Sequence, residues 1–424
     1  MEKFYYPQVG ETLYQKKLDC GLQIMVLPRS GFTKKLCYFV TDYGAIHREF
    51  TLDGEKFTAP AGVAHYLEHK LFDMPGRDIT GEFAALGAVP NAFTSYDMTA
   101  YYFSCTENFR ENLQLLLEFV TTPYFTEESV AKEQGIIGQE IGMNEDSPEN
   151  VLFETLVQAM YQRHPIRTPI LGTRESIAQI TPEVLNTCHK AFYRPDNMLL
   201  CVIGDVDPEL VEEMAEGVLA KIPCPKVECV RSWEEEMTVQ TPDARVTMEV
   251  AMPMFQLGFK CQPLPDGPEG VHQEIVGDLA AEALFGESSP LYLRLYEQGL
   301  IDASFGGGFE TIEGMAMLTA TGDSENPEAV RDAILQEAER LAETGISQED
   351  FLRMKRSALG RRIRGLDSFE STCFRLCAYY FSKFDYFEIP ERYRLVTREH
   401  VQEFLQKAVT RDRMCMAVVA PKEV

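Results

Sequence analysis

Basic residues are scarce in this chain of 424 residues: 40 lysines and arginines stand against 66 aspartates and glutamates, a formal net charge of −26. Phosphate binding needs basic surface, so nucleic acid is not expected as a partner. Solubility is the plain meaning of the charge; attraction for basic peptides is the other. No apolar run approaches the roughly 20 residues that a membrane-spanning helix requires, so no membrane partner is expected. The start, Met1-Glu2-Lys3-Phe4-Tyr5-Tyr6-Pro7, lacks the apolar core of a secretory signal. The 11 cysteines are odd in number and show no framework spacing, which excludes a disulfide scaffold. They read as free thiols in a reducing compartment, and the expected location is cytoplasmic. Cys373 and Cys377, with no second Cys or His pair beside them, read as buried apolar thiols. Hydrophobic content of 45% and charged content of 25% are those of a globular protein. The length exceeds one ordinary core and implies two or more domains.

The chain repeats itself once. Phe125-Thr126-Glu127-Glu128-Ser129-Val130 opens a helix, and Ile346-Ser347-Gln348-Glu349-Asp350-Phe351 opens a similar one 221 residues later. Both carry a hydroxyl N-cap and an acidic first turn. Ile180-Thr181-Pro182-Glu183 starts another helix, which leads through Tyr193-Arg194-Pro195-Asp196-Asn197 into the apolar strand Met198–Ile203. Val396-Thr397-Arg398-Glu399 and the strand Met414–Ala420 answer it at an offset of 216 residues. Two copies of a domain of about 200 residues follow from these offsets. Pro223, Pro225, the run Glu234-Glu235-Glu236 and Pro242 mark an exposed boundary. The expected division is residues 1–225, a linker over 226–239, and residues 240–424. Strands and long helices without strict alternation give an α+β fold class, each domain a mostly antiparallel sheet covered by helices.

Among only 7 histidines, two fall in His65-Tyr66-Leu67-Glu68-His69. Residues four apart on a helix share a face, so both imidazoles can grip one metal ion, with Glu68 beside them. This H-x-x-E-H spacing is that of the inverted zinc peptidases, in which the carboxylate activates water. On a helical wheel His65, Glu68, His69 and Phe72 share one face, and Val63, Leu67 and Leu71 the opposite one; Pro60 fits the first turn. A catalytic zinc needs a third protein ligand. Glu133 and Glu140 are candidates, seven apart on one helix face and about 10 Å apart along the axis. One can bind the metal and the other can only support it; periodicity does not say which.

Taken together, several stretches carry a family resemblance. They are Gly62-Val63-Ala64-His65-Tyr66-Leu67-Glu68-His69, Asn91-Ala92-Phe93-Thr94-Ser95, Glu133 to Glu140, His164-Pro165, Leu171-Gly172-Thr173, Tyr193-Arg194-Pro195-Asp196-Asn197 and Gly204-Asp205-Val206. The chain resembles the pitrilysin/insulinase-type metallopeptidases of the short form, similar to the catalytic subunit of the mitochondrial processing peptidase. The resemblance implies one Zn2+ per chain held by His65, His69 and Glu140. It implies Glu68 as general base and Glu133 as the carboxylate that orients a ligating histidine. Asn91, Ala92, Phe93 and Thr94 match the family's edge strand, where an extended peptide pairs by main-chain hydrogen bonds. The implied activity is endopeptidase cleavage of unfolded or small peptides in a closed chamber.

The pattern breaks in the second half. Family members carry an arginine and a tyrosine there that grip the substrate carbonyl; those positions hold Tyr296 and Asp302, and Arg294 is two residues out of register and reads as surface. No second H-x-x-E-H occurs, and His272 reads as a lone histidine. The expected partner is therefore a paralogous subunit that lacks H-x-x-E-H and supplies the Arg/Tyr clamp, giving a heterodimer. The alternative is a non-catalytic or dedicated maturation-complex subunit that keeps the peptidase fold. Gly306-Gly307-Gly308 lacks the Lys-Ser/Thr of a phosphate loop and reads as a strand with a bulge, or as a close backbone approach.

Overall fold

The computed structural model describes residues 1–422, in two compact units. The first comprises Met1–Ile141, Pro169–Val230 and Gly365–Phe387; the second comprises Gly142–Thr168, Arg231–Arg364 and the chain from Glu388 onward. Each is a mostly antiparallel sheet covered by helices, the α+β class that the sequence predicts.

The first unit holds a seven-stranded sheet in the order Glu2–Tyr6, Glu11–Lys17, Gln23–Pro28, Met198–Gly204, Lys35–Thr41, Thr99–Cys105, Ala88–Thr94. Gln23–Pro28 and Met198–Gly204 run parallel, and every other neighbouring pair is antiparallel. Strand alternation divides the side chains between two faces. Val26, Cys37, Phe39, Tyr101, Phe103, Leu200 and Val202 join the helices Val63–Leu71, Phe109–Thr121 and Pro182–Phe192 in one core. Tyr38, Tyr102 and Cys201 lie on the other face, under the helix Phe369–Phe381. Every residue of Met198–Gly204 is buried. A central strand apolar on both sides needs cover on both sides, and the second cover comes from far along the chain.

The second unit repeats this arrangement. Its five strands lie in the order Asp243–Met248, Met414–Pro421, Met254–Cys261, Met315–Asp323, Gly306–Ile312. Again the first pair is parallel and the rest are antiparallel, matching the last five strands of the larger sheet one for one. The duplication expected from the offsets is therefore present in topology. Thr181 and Thr397 cap equivalent helices through the amides of Val184 and His400. The helix Pro148–Met160 packs on this sheet; a Cβ on Gly258 would meet Met160 Sδ at 2.7 Å. Gly306–Gly308 lies in an edge strand, and a Cβ on Gly307 would lie 2.4 Å from Phe285.

The units change at 230/231, within the stretch 226–239, but that stretch is not a free linker. Val227–Cys229 pairs with Glu49–Leu52 in a three-stranded sheet of the first unit. In the second unit the Glu235 carboxylate accepts from the amides of Gln162 (2.8 Å), Arg163 (2.7 Å) and His164 (2.9 Å) and from Lys260 Nζ (2.7 Å). Nor is each unit contiguous in sequence, as residues 1–225 and 240–424 would be. The first takes Gly365–Phe387 and the second takes Gly142–Thr168, because each sheet's exposed apolar face needs a helix its own half does not supply.

Candidate metal centre

The motif helix, Val63–Leu71, begins later than expected, and Pro60 lies ahead of it. Its N-cap, Gly62, sits at φ +89°, where only glycine is unstrained. A Cβ there would lie 2.4 Å from the Leu171 carbonyl oxygen, and a Cβ on Gly172 would lie 2.5 Å from that of Ala61. Ser176 Oγ donates to the Ala61 carbonyl at 2.9 Å. The loop Leu171–Ser176 thus sets where the helix starts. The helix is buried on more than its apolar back: Val63, Ala64, Tyr66, Leu67 and Leu71 enter the core, and Lys70 is fully buried in an ion pair with Asp73. Phe72, placed by the wheel on the polar face, turns instead against Tyr101 and Phe119. Tyr66 donates its hydroxyl to the Val130 carbonyl. That bond ties the motif helix to the helix Glu127–Glu145, which carries Glu133 and Glu140.

His65 Nε2 lies 3.5 Å from Glu140 Oε1, and His69 Nε2 lies 3.6 Å from Glu140 Oε2. Glu133 Oε1 is 3.0 Å from His69 Nδ1. The two glutamates therefore part company: Glu140 faces both imidazoles, and Glu133 stands behind one of them. One potential ligand atom from each of His65, His69 and Glu140 falls within 4.8 Å of the others. Ligands about 2.1 Å from a tetrahedral zinc are about 3.4 Å apart, close to the separations present.

The protonation problem also favours a cation. Both ring nitrogens of His69 face carboxylates, but a neutral imidazole carries one N–H. Its other nitrogen would turn a lone pair on a negative charge unless a cation lies between or the ring takes a second proton, whose charge burial opposes. His65 differs: Nδ1 is buried with no hydrogen-bond partner, and only Nε2 faces a carboxylate, that of Glu140. Without a metal, burial works against the charged form of His69, yet the Glu133 hydrogen bond and the charges of Glu68, Glu133 and Glu140 raise its pKa. The His65 hydrogen bond draws the Glu140 pKa down despite partial burial. The donor set fits a divalent cation.

The strand Ala88–Thr94 is an edge of its sheet, but its residues do not share one role. Asn91 Oδ1 accepts from the Ala92 amide at 2.8 Å. Ala92 packs against the core, while Phe93 turns the other way, 5.9 Å from Phe374 and 6.3 Å from Tyr102 between ring centroids. Thr94 donates its hydroxyl to Glu68 Oε2 at 2.7 Å. Sequence reasoning missed that bond; only the period of two in the strand hinted that Thr94 shares Ala92's face.

In the second unit Tyr296 is exposed and stacks on Tyr292 at 6.0 Å. Asp302 accepts from the Ser304 amide at 2.7 Å. Arg294, half exposed, lies 3.7 Å from Glu337. His272 is not alone, as the sequence suggested. Its Nε2 lies 3.2 Å from His400 Nδ1, a pairing between helices 128 residues apart in sequence.

Residues 57–174 match the family described as insulinase (peptidase family M16), and residues 179–358 match the peptidase M16 inactive domain. A Bacillus subtilis protein called "uncharacterized zinc protease YmfH" is 37% identical over 98% of both chains. The crystal structure of an "M16-like peptidase" from Alicyclobacillus acidocaldarius superposes with a TM-score of 0.93 at 31% identity, covering 97% of this chain and 99% of that one. A protease from Helicobacter pylori shares the fold, with a TM-score of 0.81 at 19% identity over 96% of this chain and 99% of that one.

Proposed function

Because this chain belongs to the insulinase-type peptidase family M16, we propose that it is a zinc-dependent endopeptidase for unfolded or small peptides, the metal-bearing subunit of a heterodimer. The observation that carries this reading is the convergence of His65 Nε2 and His69 Nε2 on the Glu140 carboxylate. His65, His69 and Glu140 would hold one zinc ion. A bound zinc supplies a Lewis acid that polarises the scissile carbonyl and lowers the pKa of water. Glu68, next to the ligands, takes a proton from the attacking water and passes it to the leaving amine nitrogen. Glu133 accepts the Nδ1–H of His69, which fixes the tautomer and leaves Nε2 free to ligate. The edge strand Ala88–Thr94 offers main-chain groups to an extended peptide, which gives affinity with little demand on sequence.

The partner is a paralogue without H-x-x-E-H that brings the arginine and tyrosine absent at Tyr296 and Asp302. Those two positions are also what favours the second reading, a non-catalytic or maturation-complex subunit that keeps the fold. Glu68→Gln separates the readings. In the enzyme, it retains one zinc per chain and loses hydrolysis of unstructured peptides by about 100-fold or more, assayed with and without the paralogue. Hydrolysis at the wild-type rate by Glu68→Gln would remove Glu68 from its role. A chain that takes up no zinc on supplementation would support the scaffold. Full activity of the chain by itself, unchanged by the paralogue, would remove the heterodimer.

A further inference from the structure

The hydrogen bond from Thr94 to Glu68 joins the strand offered to substrate with the residue read as the base. Among the described residues Thr94 is the sole hydrogen-bond partner of the Glu68 carboxylate. A glutamate side chain left to itself samples many rotamers, so what holds it decides where its carboxylate points. Thr94 is well placed to hold it. Its β-branched side chain has few χ1 choices, and its backbone is fixed on both sides. It pairs with Thr99 at the end of the ladder. The next four residues close a tight turn: the Ser95 amide donates to the Met98 carbonyl at 2.8 Å, and Ser95 Oγ donates to Asp97 Oδ1 at 2.7 Å. The segment Gly44–Ile46 clasps that turn, with the Ala45 amide on the Ser95 carbonyl (3.1 Å) and the Ile46 amide on the Tyr96 carbonyl (2.9 Å). A Cβ on Gly44 would lie 2.5 Å from the Tyr96 carbonyl, so the approach is as close as glycine permits.

We propose that Thr94 is a positioning residue for Glu68: its hydroxyl holds Oε2, leaving Oε1 to face the attacking water. Because Thr94 belongs to the edge strand, a peptide that pairs along Ala88–Thr94 stiffens the mount of the base it is to meet. Extended main chain is then read twice, once as affinity and once as orientation of Glu68. The inference rests on the reading of Glu68 as general base.

The test uses the full zinc-loaded chain, with its paralogue where hydrolysis needs it, and an internally quenched unstructured peptide as probe. Thr94→Val removes the donor at constant shape; Thr94→Ala is the second variant should the valine disturb folding; Thr94→Ser keeps the hydroxyl. The valine and alanine variants are expected to lose about tenfold in kcat, the order of one charge-assisted hydrogen bond. Their KM should stay within twofold, with one zinc per chain retained, and Thr94→Ser should return to within about threefold of wild-type kcat. A crystal structure of Thr94→Val should show the Glu68 carboxylate displaced. Wild-type kcat in both valine and alanine variants overturns the inference, as does a serine variant no better than valine, or an unmoved Glu68. If Glu68→Gln is dead while Thr94→Val is unaffected, this inference alone falls. If Glu68→Gln still hydrolyses peptide, the base reading falls and takes the inference with it.

Discussion

Replacing Glu133 tests the support of the metal site without touching a residue that would ligate. Its Oε1 lies 3.0 Å from His69 Nδ1, and both side chains are mostly enclosed, at 14% and 26% exposure for Glu133 and His69 respectively. Glu133→Gln keeps an acceptor of the same shape and loses only the charge. A hydrogen bond to a charged group contributes about 1.5–3 kcal/mol, and a neutral one about 0.5–1.5. The difference, about 1–1.5 kcal/mol, is roughly a tenfold loss of zinc affinity. Glu133→Ala also leaves the half-buried Nδ1–H unpaired, and the loss should reach about 100-fold, the upper end for such supporting carboxylates. Competition against a chromophoric chelator at constant pH and salt measures both variants on the full chain. The expected order is wild type, then glutamine, then alanine. Wild-type affinity in Glu133→Ala would refute the argument. So would a glutamine variant weaker than alanine, because that order marks a steric rather than an electrostatic cause.

Other consequences follow from the same contacts. Gly62→Ala puts a Cβ at φ +89° and 2.4 Å from the Leu171 oxygen; it should cost about 2–4 kcal/mol in urea unfolding, and an unchanged midpoint would mean the Leu171–Ser176 loop yields freely. Glu235→Ala strands Lys260 and three amides inside the second unit, a loss of about 3–5 kcal/mol by calorimetry or denaturant. Burial would raise the Glu235 pKa, but Lys260 and the amides of Gln162, Arg163 and His164 outweigh it and draw the group down to about 2. Its folded pKa lies below the ordinary value of 4.5, so its stabilisation is present above that pH and is lost as pH falls towards 2. The second unit of the wild type should therefore weaken in that window, and the alanine variant should show less of the slope. Stripping metal with a chelator should lower Tm, and added zinc should restore it in proportion to RT ln(1 + [Zn]/Kd); His65→Ala should abolish the response, and a zinc shift that survives it would place the ion elsewhere.

The local parts of the site were legible because their geometry is local. His65 and His69 must share a helix face, since four residues make about one turn. The two glutamates seven apart must share one as well. The helices opening at Glu127, Pro182 and Gln348 and the strands starting at Met198 and Met414 occur where periodicity and caps put them. The paired offsets exposed a duplication that the smaller sheet shares with the last five strands of the larger. Beyond reach were the contacts between distant segments. The short strand Val227–Cys229 carries no pattern of its own and forms because it finds Glu49–Leu52, about 175 residues earlier and already paired in a hairpin with Glu55–Thr58. Phe72 left the polar face because two aromatic rings were available in the core. His272 gained a partner 128 residues away.

By itself the sequence determined which side chains stand together for chemistry: two histidines with a carboxylate beside them, on one turn of helix. It also determined that the fold is built twice. Tertiary structure decided what surrounds that grip. The bond from His69 to Glu133 spans 64 residues and that from Thr94 to Glu68 spans 26; both depend on how two helices and an edge strand pack, which no window of sequence encodes. The exchange of Gly142–Thr168 and Gly365–Phe387 between the units has the same origin. Hydrophobic burial is non-directional, so an apolar sheet face states that it must be covered but not by which part of the chain.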